Sequence, residues 1–462
     1  MSGSSNSDHH GSGEAYIPAL AVVFSESGTE IAVTTGDLPT LPEVRVFDRF
    51  YPEIEEFVNA AARTLGLDVR VLRCLDRGGN SEARPRIYSL VASDDGEPLS
   101  DAFRWFDVVE VDRLGGLDDS QLDSIRLECE RLRRSPERPF VPWEWPGEWE
   151  YEAREWVYGH VESRYAADQV TLTPIRSWSI SNVVRVDVET GSGSERLYFK
   201  ASPAFFSREA ALTGVVADRF PDASPKLVAV DLDRGWMLME DLGDLTLGAA
   251  DSVELWSDAM RALARVQIGF VADTSQLDRL GLERRSSSMT SSMLREWSRK
   301  PRALALGYEA ERTEKALKRL YPFLELVDEL CRLVDSVGLP QTLSHGDLDA
   351  GNMFVRNGVP VIMDWSDSSI SNPLFDPALI PQVSRSPTLA DTYLKEWKGI
   401  VPTDRLEQAF EASKPIAALE RAFHYHRNIV PDLEYPSVDL RVLESYIPDL
   451  LNLAAKSLEL HE

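Results

Sequence analysis

Residues 344–352 run Ser-His-Gly-Asp-Leu-Asp-Ala-Gly-Asn, and residues 361–365 run Val-Ile-Met-Asp-Trp. Asp347 and Asn352 stand five residues apart, and Asp364 follows twelve residues later at the end of a short apolar run. Two carboxylates and an amide at this spacing suit the transfer of a phosphoryl group. That reaction needs little covalent help from a protein. It needs a carboxylate to orient the attacking hydroxyl and oxygen ligands that hold divalent metal against the phosphates. Asp347 has the type for the first task, Asn352 and Asp364 for the second. Asp-rich turns also cap local structure, but capping explains single residues of this stretch and not the set.

The spacing is that of an H-x-D-x-x-x-x-N catalytic loop, with Gly346 where protein kinases carry Arg. The stretch resembles the aminoglycoside phosphotransferase family, whose loop reads H-G-D-x-x-x-x-N and is followed by a strand ending in I-D-W. Asn372-Pro373-Leu374-Phe375-Asp376 extends the match. The resemblance implies an α+β fold, bilobal and protein-kinase-like, with a β-rich N-lobe and a helical C-lobe. It implies ATP and Mg²⁺ as cofactors, Asp347 as the base, and Asn352 and Asp364 as metal ligands. His345 and Asp376 would support the loop. Asp349 stands where many relatives have His, which would alter loop hydrogen bonding or metal affinity. Asp367 reads as a turn cap, with help to the metal as the alternative.

Only nine of the 49 basic residues are Lys, and none precedes Lys200. A Lys at the end of the apolar run Leu197-Tyr198-Phe199 is therefore expected to act on phosphates. Glu209, early in the following helix, is its expected partner. Upstream, Ser177-Trp178-Ser179-Ile180-Ser181-Asn182 takes the place of the phosphate-covering hairpin turn of nucleotide kinases. That turn is usually Gly-rich so that backbone N–H groups can approach. Here it has no Gly, and Ser179 and Ser181 are the candidate phosphate contacts. Met239, Glu240, Asp241 and Leu242 follow a buried strand and form the expected hinge against the adenine.

The length of 462 residues suggests two to three domains. Residues 1–14 are rich in Ser, Gly and His and read as a disordered tail. Residues 15–134 read as an α/β domain with strands at 19–24, 30–35, 69–74, 85–91 and 104–109, and helices at 51–65 and 118–134. This order resembles a Nudix domain in part. The metal carboxylates of the Nudix box are missing after Arg63, so the resemblance implies structure or ligand binding without hydrolysis. Residues 135–150 form a Pro/Trp-rich linker, stiffened by its prolines. The N-lobe covers 151–243 and the helical C-lobe 244–462. Within the C-lobe, helices are expected at 253–270, 286–299, 309–337 with a break at Pro322, and three more after Asp376. His424 and His426, two apart on a helix, do not share a face and are not expected to bind metal as a pair.

The net charge of −27 argues against a nucleic-acid partner, which needs basic stripes. An acidic cleft would suit a cationic acceptor, although charge spread for solubility explains the same number. No apolar run reaches the length of a membrane span. Three cysteines far apart give no disulfide framework and fit a reducing cytoplasm. The expected partner is a small molecule bearing a hydroxyl: an aminoglycoside, an amino alcohol or a sugar. Two other readings stay open, a nucleotide-binding regulator without significant phosphotransfer and a bifunctional enzyme with an active N-terminal hydrolase.

Overall fold

The computed structural model describes residues 16–78, 84–93, 98–134, 139–299, 307–434 and 436–461. The expected tail lies outside the described residues. The first domain is built on β1 (Tyr16–Phe24), whose run 19–24 is wholly buried. It pairs antiparallel with β2 (Glu30–Thr34) and β3 (Glu43–Phe47). β4 (Val69–Asp76) pairs with β5 (Arg86–Ala92), β5 lies parallel to β1, and β6 (Phe103–Asp107) closes on β2. A sheet with such apolar runs must be covered on both faces. α1 (Glu55–Leu65) covers one with Phe57, Ala61 and Leu65, and α2 (Asp119–Arg134) the other with Ile125, Cys129 and Leu132.

The expected strands and helices of this domain are present, and β3 is an addition. Its alternating pattern of exposed Glu43 and Arg45 with buried Val44 and Val46 is that of a half-buried strand. The first helix starts later than expected, at Glu55. Residues 52–54 instead pair with the second domain, as described below.

Glu128 of α2 is buried between Arg73 at 3.0 Å and Arg131 at 2.8 Å. Burial works against its charge, but the two guanidiniums hold its pKa down to about 2, below the ordinary 4.5. A depressed carboxylate stabilises the fold above its unfolded pKa and loses that contribution as pH falls through its folded pKa. Here the window runs from about pH 4.5 to about 2, and the contribution is about 3 kcal/mol. Glu128→Gln is therefore expected to lower the melting temperature at pH 7 and to flatten the acid limb. Thermal melts of both proteins between pH 7 and pH 3 check this.

The linker ends in α3 (Trp149–Tyr165), which packs on the outer face of a five-stranded antiparallel sheet. The sheet holds β7 (Gln169–Trp178), β8 (Ser181–Thr190), β9 (Gly193–Ala201), β10 (Leu227–Asp231) and β11 (Trp236–Glu240), in the order β10-β11-β9-β8-β7. Trp143 clamps the linker to this lobe: it is buried, and its indole N–H donates to the Trp178 carbonyl at 2.9 Å. α4 (Arg208–Arg219) follows β9.

The third body is helical. α5 (Val253–Phe270), α6 (Thr274–Arg279), α7 (Ser287–Arg299), α8 (Ala310–Leu320) and α9 (Leu324–Ser336) lead to the small strands that flank loop 345–352. The expected break falls between α8 and α9, where Pro322 lacks an N–H to donate. β12 (Thr342–Ser344) pairs with β15 (Ser369–Ser371), and β13 (Met353–Arg356) with β14 (Val359–Ile362). α10 (Phe375–Leu379), α11 (Pro381–Ser384), α12 (Pro387–Glu396), α13 (Thr403–His424) and α14 (Val438–Glu459) complete the lobe. Its core joins Trp256, Phe270, Trp297, Trp365 and Trp397. The α+β arrangement of a β-sheet lobe and a helical lobe matches the expectation.

The first domain touches both lobes. Ile54 N–H donates to the Ile175 carbonyl at 3.1 Å, and Ser177 N–H to the Pro52 carbonyl at 3.0 Å, so this segment extends edge strand β7. Arg185 of β8 pairs with Glu55 at 3.0 Å. On the helical side, Tyr51 Oη donates to Asp439 of α14 at 2.5 Å, and Arg73 meets Glu434 at 3.1 Å. Among the described residues no helix is long and apolar enough to cross a membrane, and the three cysteines are buried free thiols.

Candidate active site

β12 ends at Ser344 and delivers the loop 345–352 to the seam between the lobes. One carboxylate shapes its first turn. Asp376 accepts hydrogen bonds from the Ser344 hydroxyl (2.9 Å), His345 N–H (2.8 Å), Gly346 N–H (3.0 Å) and the Gln267 amide (2.9 Å). Gly346 has φ +82°, and a Cβ there would lie well inside contact distance of the Asp367 carbonyl. Only Gly fits that approach. His345 Nδ1 accepts the Asp347 N–H at 3.3 Å, which leaves Nε2–H to donate to the Met363 carbonyl at 2.8 Å. The ring thus ties loop 345–352 to Met363, the residue before Asp364.

Asp347 is buried and lines a smaller space at the seam of the lobes. Burial raises its pKa, and Arg421 of α13 at 3.4 Å opposes that rise. The same Arg421 donates through Nε to the Gly346 carbonyl at 2.8 Å. Asn352 donates to the Asp347 carbonyl at 2.9 Å, and Asp349 accepts the N–H groups of Gly351 (2.6 Å) and Asn352 (3.1 Å). Asp349 therefore serves loop hydrogen bonding.

Lys200 at the end of β9 and Glu209 of α4 meet at 2.6 Å, and Lys200 also reaches Asp364 at 2.8 Å. Ser202 supplies a second donor to Glu209 at 2.7 Å. Burial alone would favour neutral Lys200, but the two carboxylates hold its ammonium charged, with the pKa above the ordinary value. Asp364 feels the reverse: burial opposes its charge, and Lys200 holds its pKa below the ordinary value. Burial pushes Glu209 up to about 7, against the pull of Lys200. Asp364 sits at φ +67°, ψ +61°, a left-handed conformation for a residue with a Cβ. Such strain persists only where neighbours enforce it, here the Lys200 pair and the Ser366 hydroxyl at 3.0 Å.

The cleft between the lobes has a volume of about 880 Å³. Of the expected nucleotide contacts, Lys200, Ser181, Met239, Asp241 and Leu242 line it together with Asn352 and Asp364. Two expected contacts need correction. Ser179 does not face the cleft: its N–H (2.6 Å) and hydroxyl (2.7 Å) go to Asp439, and the hydroxyl also meets Glu144 at 2.7 Å. Burial raises the Glu144 pKa to about 7. Glu240 points the other way from Met239, as alternation along β11 requires. It meets Lys226 at 3.4 Å and Arg164 at 3.7 Å, and its N–H is taken by the Lys226 carbonyl at 2.9 Å. The hairpin turn is also tighter than expected, with β8 beginning at Ser181.

Arg421 and His424 were not expected at the site. His424 Nε2–H donates to Asp367 at 2.7 Å, while Nδ1 accepts from Arg285 (2.8 Å) and Asn428 (3.0 Å). Burial and Arg285 lower the His424 pKa. Burial works against the Asp367 charge, but the His424 bond holds its pKa down to about 2. Asp367 is thus fixed by a helix far along the chain and is more than a turn cap.

The arrangement can orient a hydroxyl at Asp347 and hold polyphosphate at Lys200. Asp364 and Asn352 carry the hard oxygen donors that Mg²⁺ prefers. The ammonium of Lys200 on Asp364 shows that this carboxylate accepts a cation. Among the described residues no group of three His, Cys, Asp or Glu could hold a metal alone. Magnesium at this point would complete its shell from phosphate oxygens and water, as is usual for it.

The model of a family described as the phosphotransferase enzyme family matches residues 171–409, more than half of the chain. No curated protein matches the chain. Solved structures that resemble it include a choline kinase from Streptococcus pneumoniae, 12% identical over 67% of this chain and 99% of that one, with TM-score 0.42. A choline kinase from Cryptosporidium parvum Iowa II is 12% identical over 67% and 97%, with TM-score 0.47. A spectinomycin phosphotransferase, solved with ADP and spectinomycin, is 9% identical over 66% and 98%, with TM-score 0.42.

Proposed function

Because the chain belongs to the phosphotransferase enzyme family, we propose that it moves the γ-phosphoryl group of ATP to a hydroxyl of a small molecule. The observation that carries this reading is the meeting of Asp347, Asn352, Asp364 and the Lys200–Glu209 pair at the seam of the two lobes. The acceptor oxygen attacks the γ-phosphorus, and the bond to the β–γ bridging oxygen breaks. The hydroxyl proton passes to Asp347, and ADP leaves with the bonding electron pair. Lys200, kept in place by Glu209, would bind the α- and β-phosphates. Asp364 and Asn352 hold Mg²⁺, which when bound neutralises charge on the phosphates. Use of ATP, with three buried free thiols, supports a cytoplasmic location.

The acceptor side supports a small substrate. The space over Asp347 and Asp367 is about 80 Å³, lined by Trp178, Ile180, Tyr425 and Tyr446 among others. It suits the hydroxymethyl end of an amino alcohol or a sugar better than a bulky ring system. Carboxylates and aromatic faces together favour a cationic end. The test is Mg²⁺-dependent ATP consumption over a panel of amino alcohols, sugars and aminoglycosides. Turnover with a compact hydroxyl compound is expected. Turnover confined to aminoglycosides would refute the size argument, and no turnover or nucleotide binding would refute the whole reading.

A further inference from the structure

The 880 Å³ cleft has three walls. Two are the lobes. The third belongs to the first domain: Phe47 of β3, Arg49, and the α1 residues Glu56, Asn59 and Arg63. Spacings of three, four and seven put those α1 residues on one helical face. We infer that the N-terminal domain is a built part of the nucleotide site, and that Asn59 and Arg63 contact the nucleotide on the side the two lobes leave open. The inference rests on the nucleotide reading of the cleft given above.

Three observations support it. First, the wall is held at both edges. Residues 52–54 extend β7 at the upper lobe, and Tyr51 and Arg73 grip Asp439 and Glu434 at the lower one. Second, the phosphate turn is short of donors. It has no Gly, and the Ser179 N–H is taken by Asp439. The turn thus offers fewer donors than such a turn gives in a nucleotide site, and side chains of α1 line the same cleft. Third, most charges on the walls are already engaged. Glu53 meets Arg176, Glu55 meets Arg185, Glu56 accepts the Phe47 N–H, and Asp364 holds Lys200. The Arg63 side chain is exposed, and its guanidinium makes no hydrogen bond or ion pair among the described residues. A guanidinium facing such a space offers a fork matched to phosphate oxygens. Asn59 beside it carries both a donor and an acceptor, as ribose or a base edge requires. The cavity lies toward the upper end of the roughly 300–1,000 Å³ range of small-molecule sites, so a nucleotide fits within three walls.

The test uses the full chain and Mg·ATP, with affinity read by calorimetry and turnover with whichever acceptor is active. Arg63→Ala is expected to weaken ATP and ADP binding about tenfold or more, the loss of one charge-assisted contact. Arg63→Glu should weaken it further, and Asn59→Ala in the same direction. Because the contact is to nucleotide, KM for ATP should rise while kcat at saturation holds. Arg113→Ala, on an exposed arginine paired with Glu110 in the same domain, is the surface control and should change nothing. If the wild type binds Mg·ATP and both Arg63→Ala and Asn59→Ala bind it equally well, the third wall is refuted while the kinase reading stands. If the wild type binds no nucleotide, the kinase reading falls first and the inference with it.

Discussion

Asp347→Asn is expected to lower kcat by roughly 10²–10⁴-fold, the loss of a positioned general base, with ATP affinity unchanged. The substitution keeps the shape of the side chain but removes its ability to take the acceptor proton. The backbone around it does not depend on the carboxylate: Asn352 and His345 bind main-chain groups of residue 347. The fold and nucleotide site should therefore survive. A pH profile separates chemistry from misfolding. Burial raises the Asp347 pKa, so below that raised value the wild-type carboxylate is protonated and cannot act. The acid limb of kcat/KM should fall above the range of an ordinary carboxylate, and it should vanish in the residual activity of Asp347→Asn.

Asp376→Ala is expected to cost about 3–5 kcal/mol of stability and nearly all activity. Four donors converge on this buried carboxylate: the Ser344 hydroxyl, two loop N–H groups and the Gln267 amide. Each buried donor left unsatisfied costs roughly 1–3 kcal/mol, and partial relaxation recovers some of the sum. Gln267 in turn accepts the Tyr393 hydroxyl at 2.7 Å, so the damage reaches α12. Urea unfolding of both proteins gives the difference directly. Asp376→Asn should fall between them, since one of its two oxygens becomes a donor facing donors. A loss under 1 kcal/mol would show that the loop holds its shape without Asp376.

The groups proposed to do the chemistry were legible because most of them lie close together along the chain. Asp347, Asn352 and Asp364 sit within one loop and the strand pair after it, so spacing alone places them. Lys200 stood out because this chain otherwise puts Arg in basic positions. Long amphipathic helices such as α5 were legible from their period. What escaped the sequence came from tertiary contact. Arg421 and His424 reach the site from α13, more than fifty residues beyond Asp367, and carry no motif. Ser179 has the type and position of a phosphate contact, but Asp439 of α14 claims its donors. The third wall is likewise a product of docking. Glu56, Asn59 and Arg63 read as an ordinary polar helix face until the domain is laid across the cleft.

The central claim is that this cleft transfers a phosphoryl group to a hydroxyl. The most direct test is phosphorus NMR of Mg·ATP turned over by the full chain with a panel of compact amino alcohols and sugars. The account predicts a new phosphomonoester resonance that grows with ADP in the presence of one acceptor and is absent with Asp347→Asn. ADP formed with inorganic phosphate alone, or unchanged ATP with every acceptor, would contradict it.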